Sequence, residues 1–349
     1  MRTVLSKERS QRMSMKNRGK EAGQGPNAIS SLLDSGTIVL TESAVVERLR
    51  RLEPRLIDHQ LAHARAIYSD QGRRLISGLH RQYLDIGSRL DVPMLVFTDT
   101  WRANKERLQN AGMAGMDVNG DCTRFLRNIV QGYGTYATNV VLAGLMGSRG
   151  DAYKPEEALS ARDAASFHAF QAESLTRAGV DLLIAATMPS VSEAAGMAAA
   201  MSLSGLPYVI SFVLNGKGRI LDGATIRKAI EAIDGTAARK PLFYMVNCCH
   251  PTFYAAAMKE LKQDDGVLLE RIIGLQANTS RKEAGEREGL AVLDTEDPET
   301  FAEAMLNIRR EFGARILGGC CGTDDRHLAA LAKRCKEPGR EANIRKEGT

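Results

Sequence analysis

Six cysteines stand at positions 122, 248, 249, 320, 321 and 335, and four of them fall in two adjacent pairs. Adjacent cysteines are poorly placed to bridge each other. In a chain whose first residues, MRTVLSKERS, have no hydrophobic stretch behind them, such clustering favours metal binding over a disulfide framework. In Gly318-Gly319-Cys320-Cys321-Gly322-Thr323 two thiols are enclosed by glycines. Neighbouring side chains on a regular strand point to opposite faces, so both thiols reach one ion only where the backbone leaves β geometry, which the glycines permit. A third thiolate from Val246-Asn247-Cys248 completes a three-sulfur site with one open position, the arrangement of catalytic rather than structural zinc. Soft sulfur ligands select zinc over magnesium or calcium. A free thiol, with a pKa near 8.5, is mostly protonated at neutral pH, whereas one bound at the open position is deprotonated and ready to attack an electrophilic methyl group. Cys249 and His250 compete with Cys248 for the ligand role, because a strand end directs only one of two neighbours inward. Cys122 and Cys335, taken singly, read as small buried residues.

Holding these cysteines together requires a scaffold that brings distant segments to one place. Short apolar runs alternate with helical stretches from residue 37 onward. The predicted strands are Thr37–Glu42, Pro93–Asp99, Asn139–Gly147, Asp181–Thr187, Tyr208–Leu214, Phe243–Cys248, Ile272–Asn278 and Ala314–Cys320. Between them, stretches such as Pro155–Gly179 and Pro298–Phe312 place apolar residues at helical spacing. Near-continuously apolar strands imply a parallel sheet covered by helices. Eight such units, with no GxGxxG after the first strand, predict a single-domain (β/α)8 barrel rather than an open doubly wound sheet. The long connection Leu56–Leu90 predicts two inserted helices after the first strand. Both cysteine pairs then fall at the carboxyl ends of strands, the sixth and the eighth, where barrels of this kind carry their chemistry.

Composition narrows the setting. The chain has 349 residues, 44% hydrophobic and 26% charged, as expected of a globular protein. No apolar run approaches the length needed to cross a bilayer, so the sequence reads as cytoplasmic. The net charge of +5 is carried by residues 1–33, with seven Lys/Arg and two Asp/Glu, and the body lacks the basic stripe interleaved with aromatics expected of a nucleic-acid binder. The expected organisation is a flexible basic leader over 1–35, the barrel over 36–335 and a frayed tail over 336–349.

At Asn247-Cys248 and Gly318-Gly319-Cys320-Cys321-Gly322-Thr323 the sequence resembles the homocysteine S-methyltransferase family, across roughly residues 37 to 331. Thr98-Asp99-Thr100-Trp101, Ala178-Gly179-Val180-Asp181 and Phe167-His168 with Gln171 are similar to family segments as well. The resemblance implies a (β/α)8 barrel, Zn2+ on Cys248, Cys320 and Cys321, and a substrate pocket that includes Thr98, Thr100, Trp101 and Asn247. It also implies methyl transfer from a small sulfonium or quaternary ammonium donor to homocysteine or a related thiol, and hence a place in methionine biosynthesis. Two alternatives are a methyltransferase subunit that exchanges methyl groups with a separate corrinoid protein and a non-catalytic zinc-binding descendant.

Two departures from the family pattern concern the substrate. The first strand runs into Thr41-Glu42-Ser43 instead of a glycine-rich Asp-Gly-Gly segment, and the fourth ends in Ala186-Thr187 instead of Glu-Thr. The missing carboxylates hold the amino-acid end of homocysteine in the family. Glu42 and Asp99 are the acidic residues left at neighbouring strand ends; either one of them takes over the ammonium or the acceptor lacks the usual free amino-acid end. Trp101, the one tryptophan, is expected either to stack on a cationic methyl donor or to serve in packing, and His168 to be a structural helix residue.

Overall fold

Each of the eight apolar runs forms a strand in the computed structural model: β1 (Val39–Thr41), β2 (Met94–Phe97), β3 (Val140–Met146), β4 (Leu182–Met188), β5 (Tyr208–Phe212), β6 (Phe243–Cys249), β7 (Ile272–Ala277) and β8 (Ile316–Gly319). The strands pair in sequence order, all parallel, and β1 closes on β8 to complete the barrel. The structure describes residues 29, 33, 36–283, 286 and 293–336. Among these no helix is long and apolar enough to cross a membrane.

The strands are mostly apolar because each one feeds two cores. Val39, Leu95, Val141, Leu182, Val209, Met245 and Ile316 fill the barrel interior. Their immediate neighbours Leu40, Val96, Leu142, Leu183, Ile210, Val246 and Leu317 point outward under the helices. This alternation fixes the direction of side chains along the strands wherever no bulge interrupts it.

Most of the expected leader and all of 337–349 lie outside the described residues. Ile29 and Leu33, however, are helical and buried, within the cluster that fills the barrel interior, and the Leu33 carbonyl accepts from the Arg315 guanidinium at 2.7 Å. Packing therefore begins earlier than the boundary at 35: the i, i+4 spacing of the two residues puts both on one helix face.

The connection after β1 also differs from expectation. A short helix, Val46–Leu52, comes first, and residues 56–90 then hold one long helix, Asp70–Leu90, rather than two, capped by Ser69, whose hydroxyl accepts from Gly72 N–H, and closed by left-handed Asp91. Upstream, Pro54–Leu56 and Ala64–Tyr68 make only 3-10 turns. The Asp58 carboxylate takes the N–H groups of Gln60 and Leu61, and Ala62 has φ 51°, so the backbone there turns instead of continuing a helix.

Candidate active site

Alternation along β6 would send Asn247 inward and Cys248 outward. Cys248 escapes that fate because it adopts φ 57°, in the left-handed region, and is skipped in the pairing of Asn247 with Gln276 and Cys249 with Ala277. This bulge sends the three neighbours in different directions. Cys249 takes the outward position and is buried in the sheet–helix core. His250 caps the helix Pro251–Asp264 and faces Glu296, with burial lowering its pKa. Cys248 is thereby turned toward the barrel mouth, its carbonyl held by the Asn278 side chain at 3.0 Å.

After β8 the chain turns sharply. Cys320 N–H donates to the Ala277 carbonyl at 2.7 Å, and the Thr323 hydroxyl returns to the Cys320 carbonyl at 2.6 Å. Two glycines are required here. Gly322 has φ +84°, and a Cβ on Gly318 would lie 1.9 Å from the Thr41 hydroxyl. The result is convergence: the sulfur atoms of Cys248, Cys320 and Cys321 all lie within 4.8 Å of one another. Cys248 and Cys321 sulfurs are 3.8 Å apart, and two thiolates bound at 2.3 Å to one tetrahedral ion sit about 3.8 Å apart. Hydrogen bonding to Cys248 and Cys321, followed by burial, pushes the Cys320 thiol well up. Three thiolates so close need a cation among them, and this group could hold a metal ion.

Strand ends around the cysteines are bound to one another. The Asn247 carboxamide oxygen accepts from Thr187 N–H at 2.8 Å and from the Ser211 hydroxyl at 2.7 Å, so one side chain joins β4, β5 and β6. Cys122, by contrast, is fully buried beneath the inserted segment, where burial raises its thiol, and Cys335 lies on the outer helix Asp325–Lys336.

The expected substrate residues divide. Thr98 and Thr100 are fully buried, bonded to each other at 2.7 Å and to the Leu145 backbone. Glu42 and Asp99 do not line the cleft over the cysteines. They are buried with two histidines from the inserted segment: His80 Nδ1 contacts Glu42, His80 Nε2 lies 3.3 Å from Asp99, and His63 Nε2 lies 3.2 Å from Asp99. Burial alone would lower the His80 pKa, but Glu42 and then Asp99 outweigh it and raise it to about 10. Burial likewise opposes ionisation of Asp99, yet His80 and His63 hold it well below the usual carboxylate range. His168 is fully buried and pairs with Glu193 at 2.9 Å, bridging two outer helices, as expected of a structural residue.

Trp101 does line the cleft, but its ring is already covered. The Arg102 guanidinium lies 4.6 Å from its centroid, and the indole edge packs against Gly147 so closely that a Cβ there would come within 2.5 Å of it. The structure thus displays packing of Trp101 on Arg102 and Gly147.

Sequence reasoning missed Tyr153, whose hydroxyl lies 2.8 Å from Cys248 Sγ. It sits in the loop after β3, where no spacing marks it. His63 and His80 were equally hidden, since their partners lie on other segments. Trp101, Arg102, Arg107, Tyr153 and Cys321 line one cleft of about 750 Å³ at the mouth.

The profile of the family described as homocysteine S-methyltransferase matches residues 39–335. The homocysteine S-methyltransferase of Escherichia coli (strain K12) is 24% identical over 331 residues, spanning 88% of this chain and 98% of that protein. Selenocysteine Se-methyltransferase of Brassica oleracea var. italica is 25% identical over 172 residues, 48% of this chain and 47% of that one, so this match covers about half of the plant protein. Among solved structures, the metallated form of homocysteine methyltransferase MmuM from Escherichia coli superposes with a TM-score of 0.69 at 21% identity, covering 88% of this chain and 100% of that one, which establishes a shared fold. With the profile spanning most of the barrel, the chain belongs to the homocysteine S-methyltransferase family.

Proposed function

We propose that the protein is a zinc-dependent thiol S-methyltransferase, taking a methyl group from a sulfonium or quaternary ammonium donor and passing it to homocysteine or a related thiol. Cys248, Cys320 and Cys321 would hold the ion and leave one position for the acceptor. The observation that carries this proposal is the meeting of three sulfurs, contributed by two separated strand ends, under an open cleft at the barrel mouth. When bound, zinc supplies Lewis acidity that keeps an acceptor thiol ionised at neutral pH.

The chain's own residues set the stage for that chemistry. Asn247 fixes the strand end from which Cys248 projects, and the Thr323 hydroxyl closes the turn that carries Cys320 and Cys321. Tyr153 places a hydroxyl beside Cys248. An ionised acceptor needs no general base for the transfer. Its sulfur attacks the methyl carbon in line, the new S–C bond forms as the donor's C–S or C–N bond breaks, and the donor departs uncharged. With homocysteine as the acceptor, the product is methionine.

Incubating purified zinc-loaded protein with a thiol and an S-methylsulfonium or trimethylammonium donor, and following methylated thiol by mass spectrometry, tests this directly. We expect turnover that disappears in Cys320→Ala. Stoichiometric zinc without methyl transfer from any small-molecule donor would reject the proposal.

A further inference from the structure

Ser190-Val191-Ser192-Glu193 has the Ser-x-x-Glu spacing in which a glutamate at the third helical position bonds back to the residue that starts its own helix. Ser190 does begin the helix Val191–Ser202, its hydroxyl accepting from Ser192 N–H at 3.2 Å. Glu193, however, is fully buried, and its carboxylate is taken by three groups outside that helix. Oε1 lies 2.9 Å from His168 Nε2 and accepts from Arg149 N–H at 2.7 Å, while Oε2 accepts from Leu159 N–H at 3.4 Å. Arg149 and Leu159 lie near the two ends of the loop between β3 and the helix Ala161–Arg177. Tyr153 stands between them, its hydroxyl 2.8 Å from Cys248 Sγ.

Between these anchors the loop is folded onto itself and held from outside. Asp151 N–H donates to the Glu157 carboxylate at 2.8 Å, and the Asp151 carboxylate accepts from Tyr153 N–H at 2.9 Å. A Cβ on Gly150 would come within 2.7 Å of Glu157 Cβ. The carbonyls of Arg149 and Gly150 accept from the guanidinium groups of Arg107 at 3.1 Å and Arg102 at 2.9 Å. A loop braced in this way moves as a piece, so a change at either end reaches Tyr153. His168 orients the carboxylate in turn. Its Nδ1 is buried without a partner, so a neutral ring keeps its proton on Nε2, where Glu193 accepts it.

We propose that Glu193 is a positioning residue for the metal site: by holding both ends of the loop after β3, it sets the Tyr153 hydroxyl against Cys248. Hydrogen-bonded neighbours of a metal's ligands orient those ligands and tune the metal, and Glu193 acts one step further out, through Tyr153. This inference rests on the metal site of the function proposed above. A carboxylate offers an acceptor on each oxygen, whereas a carboxamide has only one. Glu193→Gln therefore keeps the size of the side chain but turns an NH2 group toward either Arg149 N–H or Leu159 N–H, releasing one end of the loop.

The test loads the full chain with cobalt(II) and reads affinity by titration and the thiolate-to-cobalt charge-transfer band by absorption, in wild type, Tyr153→Phe, Glu193→Gln and the double variant. We expect Glu193→Gln alone to weaken cobalt binding by about threefold to fivefold, the scale of one hydrogen bond, and to move the band in the same direction as Tyr153→Phe does. In the Tyr153→Phe background it should add nothing to either readout, because the contact it sets is already gone. Glu193→Asp, which keeps both acceptor oxygens on a shorter arm, should fall between, and it carries the same comparison where Glu193→Gln does not fold. A purely structural role would lower stability and shift cobalt affinity equally in both backgrounds. That result, or an unchanged affinity and band in Glu193→Gln, would overturn the inference and leave the methyltransferase proposal standing. Wild-type protein that binds no cobalt would overturn both.

Discussion

Asn247 and Thr187 grip each other twice across the barrel mouth: Thr187 N–H donates to the Asn247 carboxamide oxygen at 2.8 Å, and Asn247 Nδ2 donates to the Thr187 hydroxyl at 2.6 Å. Thr187 has φ 59° and lies at a register shift in β4, just as Cys248, with φ 57°, lies at one in β6. Left-handed backbone is costly for any residue with a Cβ, and for a β-branched threonine above all. The Asn247 side chain offsets that cost at one bulge, and its own main chain leads directly into the other.

Asn247→Ala should therefore act on stability and on the metal together. It leaves the Thr187 N–H and the Ser211 hydroxyl buried without their acceptor, which costs about 1–3 kcal/mol for each. We expect a clear fall in the denaturant midpoint, accompanied by reduced metal content because Cys248 loses its fixed approach. Asn247→Asp, which keeps the acceptor oxygen, should be milder. Retention of both stability and metal in Asn247→Ala would show that the bulges hold themselves.

The buried Glu42–His80–Asp99–His63 cluster should make stability depend on pH. The His80 pKa of about 10 in the folded protein lies above the ~6.5 of an unperturbed histidine. The stabilisation from its pairing is thus complete below about pH 6.5 and is lost as pH rises through about 10. Asp99 acts at the other limit: its contribution is present above about pH 3.9 and is lost as the solution becomes more acidic. Removing His80 leaves Glu42 without its histidine partner and Asp99 with His63 alone, so His80→Gln should cost about 3–5 kcal/mol at pH 6. The gap to wild type should narrow toward pH 10. Urea unfolding of both proteins at the two pH values measures it, and an unchanged gap would mean that His80 is not the titrating partner.

Tyr153→Phe should spare the fold and weaken the metal. Its hydroxyl lies 2.8 Å from Cys248 Sγ and can donate to that sulfur once it is ionised. Loss of one such hydrogen bond, about 1 kcal/mol, corresponds to roughly fivefold in metal affinity. Competition with a chelator of known affinity reads this out. Identical affinity in the two proteins would assign Tyr153 a packing role only.

The barrel and its three converging thiols were legible in the sequence because both depend on local signals. Alternating apolar runs give the strand order, and glycines flanking Cys320 and Cys321 announce the turn that brings them together. The choice of Cys248 over Cys249 was not legible from alternation, which points the wrong residue inward. It follows from a backbone bulge secured by Asn278 and Asn247. The substrate side was harder still. Glu42 and Asp99 look available in the sequence because His63 and His80, which engage them, come from a segment that reads only as helix-forming. Arg102 next to Trp101 gives no sequence cue that the two side chains stack.

Metal content bears most directly on the central claim that Cys248, Cys320 and Cys321 form one metal site. Protein purified under reducing conditions, which guard adjacent thiols against oxidation, should be analysed for zinc in wild type, in Cys248→Ala, Cys320→Ala and Cys321→Ala, and in Cys122→Ala and Cys335→Ala as controls. We expect about one zinc per chain in wild type and both controls, and loss of most of it in each of the three site variants. Equal zinc in all six proteins would contradict the assignment.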